Sequence, residues 1–387
     1  MRIGEKVVIG LDGLDVLLST LAGLGYETKG PVVRDGAILP GPVERAADLP
    51  VGVHDEQAPG RYRLEQGADD ALFAWAVGPG SWKAEFFPPT EEVWRCSVDG
   101  GDVTTTTPDL DTTPLAVIGA RPCELAALAV LDRVLLDGAH PDPAYAARRA
   151  GAFVVAAECG SPAGTCFCTS MGTGPGAEAG FDLALTELDD DAGHRFVVAI
   201  GTDRGAEVLA RVPTSPASAD DLASRDRVVE SATDAIGRRL ETAGLAELLG
   251  RNLDHPRWEE VAERCLACGN CTLVCPTCFC SDVSDTTDLT GEVRRRRTWA
   301  SCFDLDHSYL HGGPVRSSTS SRYRQWLTHK LSTWWDQFDT SGCVGCGRCI
   351  AWCPVGIDLT VETAAIRVSD GAIRSPTTSP TTSPEDR

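Results

Sequence analysis

A chain of 387 residues, 42% hydrophobic and 24% charged, has the size and composition of a soluble protein with two or three domains. Its formal net charge of −21 excludes nucleic acid and anionic membrane surfaces as partners, because both would repel it. The apolar runs are too short to cross a bilayer, and Glu5, Asp12 and Asp15 interrupt any signal-peptide core, so a cytoplasmic protein is expected.

In chain order, residues 1–250 alternate short β-type runs with helical patterns, the pattern of a mixed α/β (α+β) domain. Strands are expected at Leu115–Gly119, Ala152–Ala157, Asp182–Leu185 and Arg195–Ile200, and helices at Pro122–Leu136 and Ala219–Leu249, the latter broken near Gly237 or Gly244. Asp254-His255-Pro256 reads as a joint, and residues 255–365 form a cysteine-rich domain. Within it, Leu327, Leu331, Trp334, Trp335 and Phe338 recur at helical spacing, with Arg322, Arg324 and Lys330 among them; the expectation is an amphipathic helix that packs its tryptophans on the domain. Arg294–Arg297 reads either as a carboxylate-paired stretch or as a docking patch for an acidic partner. Residues 366–387, in which Ser-Pro-Thr-Thr is repeated, are expected to form a disordered tail.

Sixteen cysteines in a reducing compartment point to metal binding rather than disulfides. Cys265-x2-Cys268-x2-Cys271-x3-Cys275-Pro276 is repeated as Cys343-x2-Cys346-x2-Cys349-x3-Cys353-Pro354, the run of a bacterial two-cluster ferredoxin found twice. A tight C-x2-C-x2-C loop turns three thiolates onto one cubane and aims backbone N–H groups at the sulfurs. The fourth cysteine, three residues on, reaches the other cluster. One [4Fe–4S] cluster is therefore assigned to Cys265, Cys268, Cys271 and Cys353, and the second to Cys343, Cys346, Cys349 and Cys275. Zinc is the alternative for any C-x2-C pair, but zinc sites rarely use three cysteines at successive x2 spacings, doubled in full. The 67 residues between the motifs are far more than a minimal ferredoxin needs, and suit a subunit that buries its clusters between neighbours.

Four more cysteines fall together by topology. A crossover from Leu115–Gly119 through the helix to Ala152–Ala157 brings both strand ends to one sheet edge. Cys123 then sits at a helix N-terminus, where the dipole favours thiolate, and Cys159 leaves the second strand beside it. Cys166 and Cys168 follow in the next loop, so the four could ligate a third cluster, with zinc or buried inert thiols as the alternatives. A competing site would use Cys278, Cys280 and Cys302 with a fourth ligand that the sequence does not identify, and Cys96 reads as packing. Gly172–Gly176 lacks the spacing of a dinucleotide fingerprint, and no G-x-G-x-x-G follows a strand, so no flavin or NAD(P) site is expected. No Ser-His-Asp or paired-carboxylate set is recognisable, so the chain alone is not expected to act on a substrate.

Gly119-Ala-Arg-Pro-Cys-Glu-Leu125, Cys166-Phe-Cys-Thr-Ser-Met-Gly-Thr-Gly174, Phe181–Thr186 and Cys275-Pro-Thr-Cys-Phe-Cys280 carry a resemblance, joined by Trp299–Cys302 and His329-Lys330. From about Lys83 to Asp358 the chain resembles the iron–sulfur beta subunit of cytoplasmic NAD(P)-linked [NiFe] hydrogenases of the sulfhydrogenase type. The corresponding iron–sulfur subunit of anaerobic sulfite reductase is similar almost to the same degree. The resemblance implies an electron-transfer subunit that links a hydrogenase, or sulfite reductase, module to a flavin/NAD(P)H-binding subunit. The family typically carries Asp where this chain has Glu124, which leaves the cysteine assignments untouched. A stand-alone dicluster ferredoxin is the reading from another class; it suits the acidic charge but not the long insertion.

Overall fold

The computed structural model describes residues 1–99, 101–110 and 112–374. Its centre is an eight-stranded sheet built from β1 (Lys6–Gly10), β2 (Glu27–Arg34), β3 (Ala37–Pro42), β4 (Leu115–Ala120), β5 (Phe153–Ala157), β6 (Leu183–Asp190), β7 (Gly193–Ile200) and β8 (Ser215–Pro216). The spatial order is β8-β1-β7-β6-β5-β4-β2-β3. The middle, β2-β4-β5-β6, is parallel, and the flanking pairs are antiparallel. Every residue of β4 and β5 is buried, as a parallel core covered on both faces requires. One face packs α1 (Leu11–Gly23) through Leu14, Leu17, Leu18 and Leu21. The other receives α2 (Pro122–Leu135), whose Leu125, Leu128 and Leu131 meet Val117 and Val154.

The expected strands are all present, and the helix expected over Ala219–Leu249 is broken where its glycines stand, into α3 (Ala219–Ala235) and a short helix Leu245–Arg251. The first three strands were not among those expected. The tryptophan helix is divided: α4 (Thr319–Thr328) passes through a π turn at His329–Thr333 into Trp334–Phe338. Leu327, Leu331 and Trp334 are buried, Trp334 against Phe279 and Phe338, while Trp335 is exposed.

One expectation needs correction. The tail does not begin at residue 366, because α5 runs over Leu359–Arg374 and buries Leu359 and Ile366; residues 375–387 lie outside the described residues. Of the two readings of Arg294–Arg297, carboxylate pairing holds for three of the four residues. These residues form the strand Val293–Trp299, in which Arg294 pairs with Glu292, Arg295 with Asp285, and Arg297 with Glu91 and Asp142.

The same strand joins the cysteine-rich part to the N-terminal part. It pairs on one side with Ser281–Thr287 and on the other with Thr90–Asp99, where Cys96 stands opposite Val293. The second core, around Trp258, Phe303, Tyr323, Trp326 and Leu327, lies beneath the ferredoxin-type loops.

Candidate iron–sulfur centres

Each ferredoxin-type loop closes on left-handed backbone. In the first loop these residues are Ala267 (φ 50°) and Gly269 (φ 76°); in the second they are Gly345 (φ 67°) and Gly347 (φ 76°). Such φ values turn successive N–H groups inward. The Ala267 N–H donates to Cys265 Sγ at 3.4 Å and the Gly345 N–H to Cys343 Sγ at 3.5 Å, two equivalent positions in the two motifs. The Ile357 N–H donates to Cys353 Sγ at 3.3 Å.

The fourth cysteines cross. Cys265, Cys268, Cys271 and Cys353 line one apolar cavity with Phe303, Tyr323, Trp326 and Ile357, and Cys349 of the second motif also borders it. Burial, then the neighbouring Cys302, Cys265, Cys353 and Cys268, push the Cys271 thiol well up. Burial, then Cys343, Cys346 and Cys275, do the same to Cys349. Thus Cys353 faces the first motif and Cys275 the second. Among the described residues no three His, Cys, Asp or Glu side chains converge on a single ion.

The surroundings fit cubanes at both places. Tyr323 Oη and Trp326 Nε1, on residues lining the first cavity, are buried without hydrogen-bond partners, as is Arg348 Nη1 beside the second motif. Acceptors on a cluster would relieve all three, since a buried unpaired donor carries the full desolvation penalty. Arg348 is fully buried; its Nη2 donates to Glu124 Oε1 at 2.5 Å and to the Gly80 carbonyl at 3.0 Å. Burial raises the Cys346 thiol, and the Arg348 guanidinium pulls in the opposite direction.

Cys275 is the most polar of the eight environments. A hydrogen bond from Cys278 holds its thiol well below the usual range in spite of burial, helped by Lys330 and Thr277. Lys330 Nζ donates to Cys275 Sγ at 3.2 Å, to Thr277 Oγ1 at 3.2 Å and to the Gly342 carbonyl at 2.9 Å. The amphipathic reading of the tryptophan helix named this residue, and the resemblance included it, but neither gave it a role. A signal for its burial was present: Lys330 follows Leu327 by three and precedes Trp334 by four, so it stands on the apolar face itself.

Cys123, Cys159, Cys166 and Cys168 also come together. Burial, then Cys159, Cys168 and, more weakly, Cys346, raise the Cys166 thiol well above its usual value; burial, then Cys346 and Cys168, do so for Cys123. Burial, then Cys159 and Cys346, push Cys168 up to about 12. The helix dipole expected to favour thiolate at Cys123 is outweighed by burial. The loop carrying Cys166 and Cys168 is held on the second motif: the Phe167 N–H donates to the Gly345 carbonyl at 2.8 Å, and Thr173 Oγ1 to the Val344 carbonyl at 2.6 Å.

Cys278, Cys280 and Cys302 adjoin the ferredoxin-type cysteines as well. Cys278 sits at Cys275, and its carbonyl accepts from buried Lys83 at 3.0 Å. Burial, then Cys280, push Cys302 up to about 12, and Cys302 in turn helps raise the first-motif Cys271.

Two comparisons with known proteins bear on these centres. Residues 264–357 match the profile of a 4Fe-4S dicluster domain. The chain is 35% identical over 245 residues to the sulfhydrogenase 2 subunit beta of Pyrococcus furiosus, an alignment covering 62% of this chain and 71% of the relative. No solved structure matches the chain.

Proposed function

The chain belongs to the sulfhydrogenase beta-subunit family, and from that premise we propose that it relays electrons between a [NiFe] hydrogenase module and a flavin/NAD(P)H-binding subunit. The observation that carries this reading is the pair of crossed cysteine sets, each with an N–H···S bond at the same loop position. Bound cubanes supply one-electron chemistry there. The chain's own residues hold the thiolates, exclude water and set the charge around them.

One cubane is held by Cys265, Cys268, Cys271 and Cys353, the other by Cys343, Cys346, Cys349 and Cys275. Cys123, Cys159, Cys166 and Cys168 hold a third, supported by their mutual proximity and by the contact of their loop with the second motif. Cys268 is exposed, and Leu266 and Leu273 beside it are 62% and 44% exposed, so the first motif presents the face a partner protein can approach. The chain has no fingerprint for flavin or NAD(P), and on this reading neither is bound by it. Among the described residues no helix is long and apolar enough to cross a membrane, and the reading places the protein in the cytoplasm.

The test uses the full chain purified anaerobically. Reduced protein should give the EPR of interacting [4Fe–4S]⁺ centres and show no NAD(P)H oxidation until the flavin partner is added. One equivalent of tightly bound flavin on the isolated chain would contradict the division of labour.

A further inference from the structure

The chain has four lysines, Lys6, Lys29, Lys83 and Lys330, and it buries two of them in the cysteine-rich region. Lys330 is 2% exposed. Its three acceptors, Cys275 Sγ, Thr277 Oγ1 and the Gly342 carbonyl, match the three donors of an ammonium group. Among the described residues no carboxylate is within ion-pair distance of it. An uncompensated buried charge is costly, so such a cation persists only where negative charge is supplied some other way. Here the only negative groups at hand are thiolates, and the nearest is the one assigned to the second cluster.

The first motif lacks such a cation. The hydrogen bonds to its assigned sulfurs come from the backbone N–H groups of Ala267 and Ile357. Arg322, the arginine near Cys265, directs its Nη1 to the Phe303 carbonyl at 2.7 Å. Around the second motif stand two further buried cations: Arg348 is paired with Glu124, and Lys83 donates to the Cys278 carbonyl rather than to an assigned sulfur. What sets Lys330 apart is a side-chain ammonium within hydrogen-bond distance of an assigned sulfur, with no carboxylate paired to it among the described residues. A fixed positive charge and a hydrogen bond on a ligand sulfur both favour the more negative, reduced cluster, and hydrogen bonding and charge are among the levers that set cluster potentials.

We propose that Lys330, through its contact with Cys275 Sγ, raises the reduction potential of the cluster held by Cys343, Cys346, Cys349 and Cys275 above that of its neighbour, so that the first electron taken up by the pair resides on the second-motif cluster. Lys330 is a positioning residue in this role; it touches the ligand, not a substrate. The π turn at His329–Thr333 belongs to the same device, since it lies where the helix delivers the ammonium to Cys275 and lets the Lys330 carbonyl accept from the Gly342 N–H at 2.9 Å. The exposed first-motif cluster would then be the lower-potential port and the buried second-motif cluster the sink. The inference rests on the two-cluster reading above.

The experiment is an EPR-monitored redox titration of the full chain, with each signal assigned from Cys353→Ser and Cys275→Ser. In the unaltered protein the second-motif signal should have the higher midpoint; the reverse order would overturn the proposal. Lys330→Met should lower that midpoint, leave the first-motif midpoint in place and keep the iron content. A full iron complement with an unmoved second-motif midpoint would also overturn it. If Lys330→Met loses iron, Lys330→Gln, which keeps an N–H donor without the charge, takes its place with the same two outcomes. Lys330→Arg should restore most of the difference. Absence of iron from the unaltered chain would instead sink the two-cluster reading, so the two failures are distinguishable.

Discussion

The two ferredoxin-type loops are identical in cysteine spacing and opposite in surroundings. The first lies at the surface against Phe303, Tyr323 and Trp326, with Cys268 exposed, and its sulfurs receive backbone N–H groups. The second is pressed between the N-terminal loop carrying Cys166 and Cys168 and the helix carrying Lys330, with Arg348 sealed under it. Spacing selects the ligands, whereas the neighbours of each loop decide access and charge. One loop is built to be reached and the other to be covered.

The covering by the N-terminal cysteines can be broken directly. Substituting Cys123, Cys159, Cys166 and Cys168 together by Ser should remove about four irons and leave the EPR of the ferredoxin-type pair in place, as expected for one [4Fe–4S] cluster on four thiolates. Unchanged iron content would mean that these thiols only pack. Because Cys346 is the ferredoxin-type cysteine among their neighbours, any disturbance of the remaining pair should fall on the second-motif signal.

The matched glycines sharpen the contrast. Gly269 and Gly347 have the same φ of 76° and the same place in their motifs. A Cβ on Gly347 would lie 2.3 Å from the Thr165 carbonyl oxygen, whereas on Gly269 its nearest neighbour would be Ser301 Oγ at 3.2 Å. Gly269→Ala should cost about 1–2 kcal/mol, the ordinary penalty of left-handed backbone. Gly347→Ala adds a backbone collision and should displace the 165–174 loop, read as loss of soluble iron-loaded protein. Equal behaviour of the two variants in iron content and thermal unfolding would deny the second loop its special covering.

A smaller effect is expected at the pair that seals it. Glu124 is buried, accepts from Arg348 Nη2 and, through Oε2, from the Arg121 N–H at 3.1 Å. Glu124→Ala leaves Arg348 buried and unpaired and should destabilise the chain by about 3–5 kcal/mol, measured by denaturant unfolding of the anaerobic protein. Glu124→Asp, the residue more usual in the family, should cost less because the carboxylate remains.

Much of this contrast was legible in the chain, and the rest was not for identifiable reasons. The doubled cysteine run names its eight residues without any fold, and the crossover strands showed as short apolar runs with a helix between them. The break between α3 and Leu245–Arg251 stood at its glycines. The pairing of Val293–Trp299 with Thr90–Asp99 joins residues some two hundred apart and leaves no local period to detect. The opening strands were passed over because β2 and β3 carry Gly30, Pro31, Pro40 and Gly41, residues that usually mark turns. α5 was not expected, because the Ser-Pro-Thr-Thr composition beyond it led residues 366–387 to be read as a tail. Lys330 was named in the helix and in the resemblance, but its contact with Cys275 joins residues 55 apart and has no local sequence signal.

The central claim, that each fourth cysteine serves the cluster of the other motif, has one direct measurement. Cys275→Ser and Cys353→Ser are prepared in the full chain and compared by EPR and iron content. Cys275→Ser should damage the second-motif cluster and spare the first, and Cys353→Ser should do the reverse. Damage confined in each case to the cluster of the mutated residue's own motif would contradict the account.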